Sequence, residues 1–330
     1  MNRIVQLQHG IERRVALVDE PHLRLLEGVD SVIALAQEAA TTGIALMDLV
    51  ARRATGAHLD YDPIHAGGSP WRLLTPVDHP EPARCLVSGT GLTHLGSAKN
   101  RNAMHAASDN ETDSMKMFRW GVERGRPAAG SAGVAPEWFY KGCGTILRAH
   151  HEPLERPAFA EDGGEEGEIA GVYWIDGEGN PRRLGMAVGN EFSDHVFERR
   201  NYLNLAGSKL RTCSLGPELV LDPVFESVPG TVTIERAGRS VWSQPVVSGE
   251  AEMCHSLANI EHHHFKFAAH RRPGDVHVHY YGACSLSFGA GVRLEDDDMM
   301  LIAFDGFGRA LRNPLRVEPG PTTVAVALPL

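Results

Sequence analysis

Two glutamates separated by one glycine, Glu166 and Glu168, are the residues of this chain best suited to bind a cation. The apolar stretch 169–175 follows them and the turn sequence 176–180 ends it, so we predict that both glutamates stand where a β-strand begins. Side chains two positions apart in a strand point to the same face. Two adjacent carboxylates repel each other, and a divalent cation such as Mg²⁺, Mn²⁺ or Ca²⁺ removes that repulsion.

A third carboxylate is expected from the other arm of a hairpin. The segment 183–189 is suited to pair back on 169–175, which would bring Glu191 close to the first two glutamates and make Asp194 a further candidate. Three carboxylate oxygens leave room on an octahedral ion for waters and a chelating substrate. The alternative is a solvated acidic hairpin, because the residues just upstream, 161–165, are themselves mostly acidic.

Two lysines and one histidine are candidates for catalysis. Lys209 follows Glu191 in the chain, and Lys141 stands between aromatic residues and a glycine. The alternative for each lysine is a solvated surface charge. His94 lies in a glycine-rich loop that follows an apolar stretch, which is a common way to present an acid/base group. The alternative for His94 is a loop histidine that hydrogen bonds to the backbone.

A histidine triplet at 262–264 is the most conspicuous cluster of imidazoles. Consecutive side chains diverge on a helix or a strand, so the triplet cannot chelate one metal ion as a regular element. We interpret it as structural or surface-exposed. Neither an HExxH zinc motif, a GxSxG nucleophile motif nor a glycine-rich nucleotide loop occurs in the sequence.

Composition limits the class of protein. The net charge of −10 argues against a nucleic-acid partner, because no basic stripe is available to neutralise phosphates. No apolar stretch approaches the length of a membrane span, and the N-terminal residues lack the apolar core of a signal peptide. Five widely spaced cysteines without a CxxC motif predict reduced thiols. We therefore expect a cytoplasmic protein that does not bind a membrane.

The chain is expected to have an α+β fold with two domains. Residues 1–75 predict a small N-terminal α/β domain, and the polar stretch 65–70 with its glycines and proline marks the boundary. Its expected elements are strands at 4–8 and 14–18 and helices within 31–53. Residues 76–330 alternate short apolar runs with Gly, Pro and Asp turns, which predicts a mainly β catalytic domain with long functional loops.

Taken together, these segments resemble the fumarylacetoacetate hydrolase superfamily. In that family an E-x-E-[LI] strand supplies two metal ligands, a later turn supplies the third, and a lysine follows. The matching positions here are Glu166, Glu168, Glu191 and Lys209, and Lys141 matches the lysine of an upstream Phe-Phe-Lys segment. A P-G-D loop of the family resembles 273–283, and its closing strand pair resembles 297–314. The resemblance runs in order from about residue 73 to residue 330.

The resemblance implies a mixed β-roll catalytic domain, usually dimeric, that holds Mg²⁺ or Mn²⁺. Substrates of the family are small 2-oxo or 2,4-dioxo acids, which chelate the ion through carboxylate and 2-oxo oxygens. Members hydrolyse C–C bonds of diketo acids, decarboxylate oxaloacetate-like acids or dehydrate 2-keto-3-deoxy sugar acids. Their shared step is an enolate that the metal stabilises as a Lewis acid, with lysine nearby to offset the developing charge.

The chain departs from the family pattern at the third ligand and at the lid. Glu191 stands where the family has aspartate, so its carboxylate reaches further by one methylene. The family's lid sequence, N-Y-x-x-H, is replaced by Thr93-His94-x-x-Ser97, so the lid histidine is missing unless His94 substitutes for it.

The substrate-binding Gly-Thr pair of the family is also altered, to Gly282-Ala283. A nearby hydroxyl, from Ser285 or Ser287, would then have to bind the substrate carboxylate. With these departures the chain resembles a divergent, GguC-like branch of the family, which is associated with bacterial sugar catabolism. They leave the reaction type and the substrate open.

These observations together predict a Mg²⁺-dependent enzyme of sugar-acid breakdown, expected to be a homodimer. Lys209 and Lys141 would steady the enolate and the substrate carboxylate, His94 would act as acid/base, and Thr93 would contact the substrate. Dehydration of a 2-keto-3-deoxy sugar acid is preferred over C–C hydrolysis of a 2,4-dioxo acid, because the usual water-activating lid motif is altered. A non-catalytic protein that binds a sugar acid is the remaining alternative.

Overall fold

The computed structural model describes residues 2–96, 112–322 and 324–330, which form two β-sheets flanked by short helices. In chain order the strands are β1 Arg3–His9, β2 Glu12–Asp19, β3 His22–Leu26, β4 Ala54–Asp60, β5 Arg72–Leu73, β6 Cys85–Gly91, β7 Glu137–Cys143, β8 Leu147–Arg148, β9 Leu154–Arg156, β10 Gly167–Ile175, β11 Pro181–Asn190, β12 Cys213–Leu215, β13 Leu219–Val220, β14 Val228–Arg236, β15 Arg239–Ser248, β16 Val276–Tyr280, β17 Met299–Phe304 and β18 Leu311–Val317. The α-helices are α1 Val32–Thr42, α2 Leu46–Arg53, α3 Tyr61–His65, α4 Asp113–Arg124, α5 His195–Arg200, α6 Leu205–Lys209 and α7 Leu257–Phe265.

The larger sheet has 13 strands, and its main path runs β4-β3-β2-β1-β13-β11-β10-β16-β6-β7. The smaller sheet has five strands in the order β15-β14-β17-β18-β9. Strands therefore dominate the fold, and the expected mainly β, α+β class is confirmed. The closing strand pair expected within 297–314 is β17 and β18, which pair antiparallel with Met300 opposite Asn313.

The N-terminal elements follow their sequence signals. Helix α1 begins after Ser31, whose hydroxyl accepts a hydrogen bond from the amide of Ala34 at 3.2 Å. It ends at Gly43, which adopts φ +68°, a left-handed conformation that glycine adopts without a steric cost. The predicted helical stretch 31–53 is thus divided into α1 and α2.

The first strands belong to the larger sheet. Strand β1 pairs antiparallel with β13, with Arg3 opposite Val220 and Ile4 opposite Leu219. Ile4 also lies in one hydrophobic core with residues of the central hairpin such as Ala170. Residues of both proposed domains, 1–75 and 76–330, thus share one sheet and one core. The division into two domains stays a prediction.

The hairpin of β10 and β11 lies at the centre of the larger sheet, and all nine residues of β10 are buried. This confirms the pairing expected from the sequence. The register places Gly167 opposite Asn190 and Glu168 opposite Gly189. On its other edge β10 pairs with β16, which in turn pairs in parallel with β6.

Among the described residues, no single helix is long and apolar enough to cross a membrane. Helices α1 and α2 satisfy the length and composition of a span only when they are counted as one, and a bend of 114° separates them.

Candidate metal centre

Three carboxylates meet at the open end of the β10–β11 hairpin. Glu166 immediately precedes β10, Glu168 is its second residue, and Glu191 immediately follows β11. Because Gly167 pairs with Asn190, the two chain ends leave the hairpin at the same level, and the amide of Glu191 donates a hydrogen bond to the carbonyl oxygen of Glu166 at 2.9 Å. One carboxylate oxygen from each glutamate lies within 4.8 Å of the others.

All three carboxylates are buried, which contradicts the alternative of a solvated acidic hairpin. The exposed fractions of Glu166, Glu168 and Glu191 are 8%, 1% and 0%. Asp194, the further candidate from the same turn, does not join them. Its carboxylate accepts the amide hydrogen of Phe197 and so caps helix α5.

Both predicted lysines reach this centre, and the alternative of solvated surface charges is wrong for each. Nζ of Lys209 lies 2.6 Å from Oε1 of Glu166 and 2.7 Å from Oε2 of Glu191. Nζ of Lys141 donates to Oε1 of Glu191, to the carbonyl oxygen of Phe192 at 2.9 Å and to that of Lys209 at 3.0 Å. Lys141 comes from strand β7, so three separate parts of the chain build the centre.

The carboxylates and ammonium groups shift one another's ionisation. Burial lowers the pKa of Lys209, but the carboxylates of Glu166 and Glu191 outweigh burial and hold that pKa well above its usual value. Burial raises the pKa of Glu166, while the charges of Lys209 and His195 bring it well below its usual value. Lys209 is therefore a fixed cation at neutral pH rather than a base.

Glu168 has the opposite balance. Its Oε2 accepts the amide hydrogen of Gly282 at 2.7 Å, and no described lysine or arginine forms an ion pair with it. Burial first, and then the charges of Glu191 and Glu166, raise its pKa well above the usual value. Burial also raises the pKa of Glu191, although Lys141 and Lys209 oppose this shift.

The donor set fits a hard divalent ion. Two ammonium groups face three carboxylates, and carboxylate oxygens are the ligands that Mg²⁺, Mn²⁺ and Ca²⁺ prefer. Glu166, Glu168 and Glu191 are thus the residues that could hold such an ion, as the sequence predicts.

Sequence reasoning missed His195. It is the first residue of α5, and its Nε2 lies 3.1 Å from Oε1 of Glu166. Burial lowers the pKa of His195, but the hydrogen bond to Glu166 and the charges of Glu166 and Glu198 together outweigh burial and raise that pKa. The only sequence signal was its position four residues after Glu191, in the turn that had already supplied Asp194 as a candidate.

Thr93 and His94 lie in a buried loop next to Glu168. The hydroxyl of Thr93 donates to the carbonyl oxygen of Tyr281, one residue before the glycine whose amide binds Glu168. The ring of His94 is 1% exposed, with Nδ1 2.9 Å from the Thr93 hydroxyl and Nε2 3.0 Å from the hydroxyl of Ser248. Burial lowers the pKa of His94 to about 4, so its imidazole is neutral at neutral pH. Ser97, the other residue of the altered lid sequence, lies outside the described residues.

Gly282 adopts φ +105°, and a Cβ atom there would lie 2.1 Å from Oγ1 of Thr93. Only glycine therefore fits between this hydroxyl and the carboxylate of Glu168. Ala283 and Ser285 follow it and are half-buried. The hydroxyl of Ser287 donates to the buried carboxylate of Glu165 at 2.7 Å, so it already has an acceptor.

A cavity of about 410 Å³ opens beside the metal centre. His195 forms part of its wall, together with residues of α5, the start of α4 and Phe288. The rings of His195 and Phe288 lie 5.2 Å apart. A small ligand in this cavity would contact the imidazole that is hydrogen bonded to Glu166.

No protein-family model and no curated protein sequence matches the chain. Solved structures do match. A 2-keto-3-deoxy-D-arabinonate dehydratase complexed with magnesium and 2,5-dioxopentanoate matches with a TM-score of 0.71 at 18% identity, over 96% of this chain and 100% of that chain. A 5-carboxymethyl-2-hydroxymuconate delta-isomerase from Mycobacterium smegmatis matches with a TM-score of 0.59 at 18% identity, over 96% and 100% of the two chains.

A 2-hydroxyhepta-2,4-diene-1,7-dioate isomerase from Mycobacterium marinum gives a TM-score of 0.59 at 16% identity, over 97% of this chain and 100% of that chain. At these identities the similarity is one of fold, and it extends over the whole length of the compared proteins. The fold expected from the resemblance is therefore confirmed.

Proposed function

We propose that this chain is a divalent-metal-dependent enzyme that dehydrates a small 2-keto-3-deoxy sugar acid. The observation that carries the proposal is the buried group of Glu166, Glu168 and Glu191 beside the ammonium of Lys209. Its fold is shared with a dehydratase that was solved with magnesium and 2,5-dioxopentanoate, a small 2-oxo acid. The expected homodimer and cytoplasmic location belong to the same proposal.

Glu166, Glu168 and Glu191 would hold a divalent ion, which would supply Lewis-acid activation of the carbonyl group of the 2-oxo acid. Dehydration removes a proton from C3 and the hydroxyl group from C4, which leaves as water once it is protonated. Negative charge develops on the oxygen at C2 when the C3 proton is removed, and it is discharged when the C4 hydroxyl group leaves. Residues that stabilise this charge and carry the two protons account for catalysis.

Lys209 and Lys141 supply fixed positive charge for this step. Both amines are buried, and Lys209 stays protonated at neutral pH, so neither desolvation nor rearrangement is needed as the charge develops. His94 is the proposed acid/base group. Its neutral imidazole can accept a proton, and its loop contacts the backbone next to Gly282 through Thr93.

Substrate contacts are proposed for the loop that follows β16. The amide of Gly282 holds Glu168, so Ala283 and Ser285 come directly after a residue that contacts a proposed metal ligand. The Ser285 hydroxyl is the proposed replacement for the missing threonine, because the Ser287 hydroxyl is bound to Glu165. Thr93 packs against Gly282 on the other side of this loop.

Purified protein incubated with Mg²⁺ and a panel of 2-keto-3-deoxy and 2,4-dioxo acids tests the proposal. We expect loss of one water molecule from a 2-keto-3-deoxy acid by mass spectrometry, and no turnover after treatment with EDTA. Pyruvate formed from a 2,4-dioxo acid, without dehydratase turnover, would support C–C hydrolysis instead. Tight binding without any turnover would identify a sugar-acid-binding protein.

A further inference from the structure

Glu165 is a buried carboxylate that has no role in the metal centre described above. It precedes Glu166 in the chain and is 0% exposed, but it is not one of the three carboxylates that could hold an ion. Both of its oxygens accept hydrogen bonds from Ser287, Oε1 from the amide and Oε2 from the hydroxyl, each at 2.7 Å. A buried carboxylate that binds one residue twice fixes the position of that residue.

The backbone that carries Glu165 is itself held in place. The amide of Gly164 donates to the carbonyl oxygen of Ser193 at 3.0 Å, and the amide of Ser193 donates to the carbonyl oxygen of Gly164 at 3.1 Å. This pairing continues the β10–β11 hairpin beyond its regular strands. Glu165 therefore projects from a fixed part of the sheet.

The loop that follows β16 is attached to this part of the sheet at two points. At its start the amide of Gly282 donates to Glu168 at 2.7 Å, and at its end Ser287 binds Glu165. Only the first point involves a proposed metal ligand. Three of the four residues between the two points are half-buried, namely Ala283, Ser285 and Leu286.

The same loop separates two cavities. Leu286 lines both the cavity beside the metal centre and a second cavity of about 460 Å³ on the side of strand β15. Phe288 lines the first cavity, where its ring lies 5.2 Å from that of His195. Because there is space on both sides of the loop, packing alone does not fix its position. The two hydrogen bonds between Ser287 and Glu165 supply the missing constraint.

We propose that Glu165 is a positioning residue, which acts through Ser287 to hold the loop 283–288 against the metal centre, so that the cavity wall is formed before a ligand binds. A wall that is already ordered removes part of the entropic cost of binding. The proposal rests on the proposed function for the identity of the ligand, a small 2-oxo acid. It adds a residue that neither binds the ion nor contacts the acid.

Cys284 reports the position of this loop without any turnover. It is 8% exposed and lines the second cavity, and burial raises the pKa of its thiol to about 12, so it should react slowly with iodoacetamide. Glu165→Leu removes both acceptors from Ser287. Alkylation of Cys284, followed by mass spectrometry, should then become at least about tenfold faster, because each hydrogen bond to a charged group contributes that much to closing the loop.

Glu165→Gln is the matched control. Its amide oxygen can accept from the Ser287 amide and its amide nitrogen can donate to the Ser287 hydroxyl, so both hydrogen bonds are retained without the charge. The alkylation rate of Cys284 should stay close to that of the wild-type protein. Ser287→Ala removes only the hydroxyl and should accelerate alkylation by about threefold or more.

Cys85 and Cys213 are buried elsewhere in the fold and measure opening of the whole chain in the same spectra. Their rates should not change in any variant. Acceleration of all three cysteines together in Glu165→Leu would show that the contact contributes only to overall stability, and would overturn the inference. An unchanged rate at Cys284 in either Glu165→Leu or Ser287→Ala would also overturn it.

Binding of 2-oxopentanoate, a 2-oxo acid without a hydroxyl group to eliminate, measures the consequence for the ligand. Calorimetric titration with Mg²⁺ present should show binding weakened by about tenfold in Glu165→Leu and retained in Glu165→Gln. Both variants should still bind one Mn²⁺ per chain, because the three proposed ligands are unchanged. Loss of the ion in Glu165→Leu, or an affinity for 2-oxopentanoate equal to that of the wild-type protein, would overturn the positioning role.

Failure of this inference can be told apart from failure of the proposed function. A wild-type protein that binds no 2-oxo acid would overturn the function, while alkylation of Cys284 would still decide whether Glu165 holds the loop. Dehydration of a 2-keto-3-deoxy acid with the same KM and kcat in Glu165→Leu would leave the function intact and overturn the role of Glu165.

Discussion

The ammonium of Lys209 lies 2.6 Å from Oε1 of Glu166, and both groups are buried at the open end of the β10–β11 hairpin. Lys209 comes from a helix and Glu166 from the residue before a central strand. Neither charge is stable at this buried position without the other. The ion pair therefore stabilises the folded chain and also holds the charged groups of the proposed reaction in place.

Replacement of Lys209 by methionine should destabilise the protein and abolish turnover. The variant leaves two carboxylates without their shared cation, which costs about 3–5 kcal/mol in free energy of unfolding. Turnover should fall by about 10²-fold or more, because the fixed charge near the reacting oxygen is lost. Urea denaturation in EDTA measures the first effect.

Lys116→Met, a change at a half-exposed pair with Asp113, should cost less than about 1 kcal/mol. Equal stability of the two variants would contradict the account.

His195 should tune the metal centre through Glu166. Removal of a hydrogen-bond partner of a metal ligand commonly lowers metal affinity or activity by about 10–100-fold. We therefore expect His195→Ala to weaken Mn²⁺ binding by that factor in calorimetric titration. His262→Ala, at an exposed position of α7, is the control and should bind Mn²⁺ as the wild-type protein does. An unchanged affinity in His195→Ala would show that the 3.1 Å contact with Glu166 has no influence on the ion.

Gly282 should tolerate no side chain. Alanine at φ +105° is strained, and its Cβ would overlap Oγ1 of Thr93. We expect Gly282→Ala to lower the free energy of unfolding by about 2–5 kcal/mol, from the sum of strain and overpacking. Gly238→Ala, at φ +73° with open space around it, isolates the backbone contribution. The expected order in thermal melts is wild type, Gly238→Ala, then Gly282→Ala. A reversed order would contradict the close approach of Thr93.

Buried imidazoles should make the protein sensitive to acid. Burial, with the neighbouring imidazole of His270, lowers the pKa of His277 from 6.5 to about 3, and burial with His277 does the same for His279. Above pH 6.5 both rings are neutral in the folded and unfolded chain. Between pH 6.5 and 3 only the unfolded chain takes up these protons, so stability falls by about 1.4 kcal/mol per pH unit for each ring.

The slope of the unfolding free energy against pH, measured in urea between pH 7 and pH 5, tests this prediction. His277→Gln should reduce the slope by about 1.4 kcal/mol per unit, because one proton is no longer taken up. Val278→Ala, at the next residue of β16, should lower stability by the same amount at every pH and keep the slope. An unchanged slope in His277→Gln would contradict the buried neutral imidazole.

The parts of this centre that the sequence predicted are those with a local pattern. Glu166 and Glu191 flank two strands with clear signals and Glu168 lies at the start of the first, so their meeting follows from the register of one hairpin. Lys141 and Lys209 were candidates from their sequence positions, and only the resemblance gave them roles. The alternative of solvated lysines was open because no local pattern indicates burial. His195 was missed because a histidine in a turn has no periodic pattern, and only the contact of α5 with Glu166 gives it a role.

The histidine triplet shows the same limit for the fold. The sequence indicates that three consecutive imidazoles cannot chelate one ion, and the described residues contain no metal-ligand group there. His264 alone turns inward, where it binds His277 at 2.9 Å and accepts from Trp138 at 3.2 Å. Which of the three rings is buried depends on which face of α7 packs on β16. A local sequence pattern does not predict long-range packing of this kind.

The central claim is that the three glutamates bind a divalent metal ion, and replacement of Glu168 tests this claim most directly. Glu168→Gln keeps the shape of the side chain and prevents it from ionising to bind a cation. Calorimetric titration with Mn²⁺ should give one ion per chain in the wild-type protein and no detectable binding in this variant. Glu165→Gln, at a buried carboxylate bound to Ser287 instead, should retain the ion. Stoichiometric Mn²⁺ binding and dehydratase activity in Glu168→Gln would contradict the account.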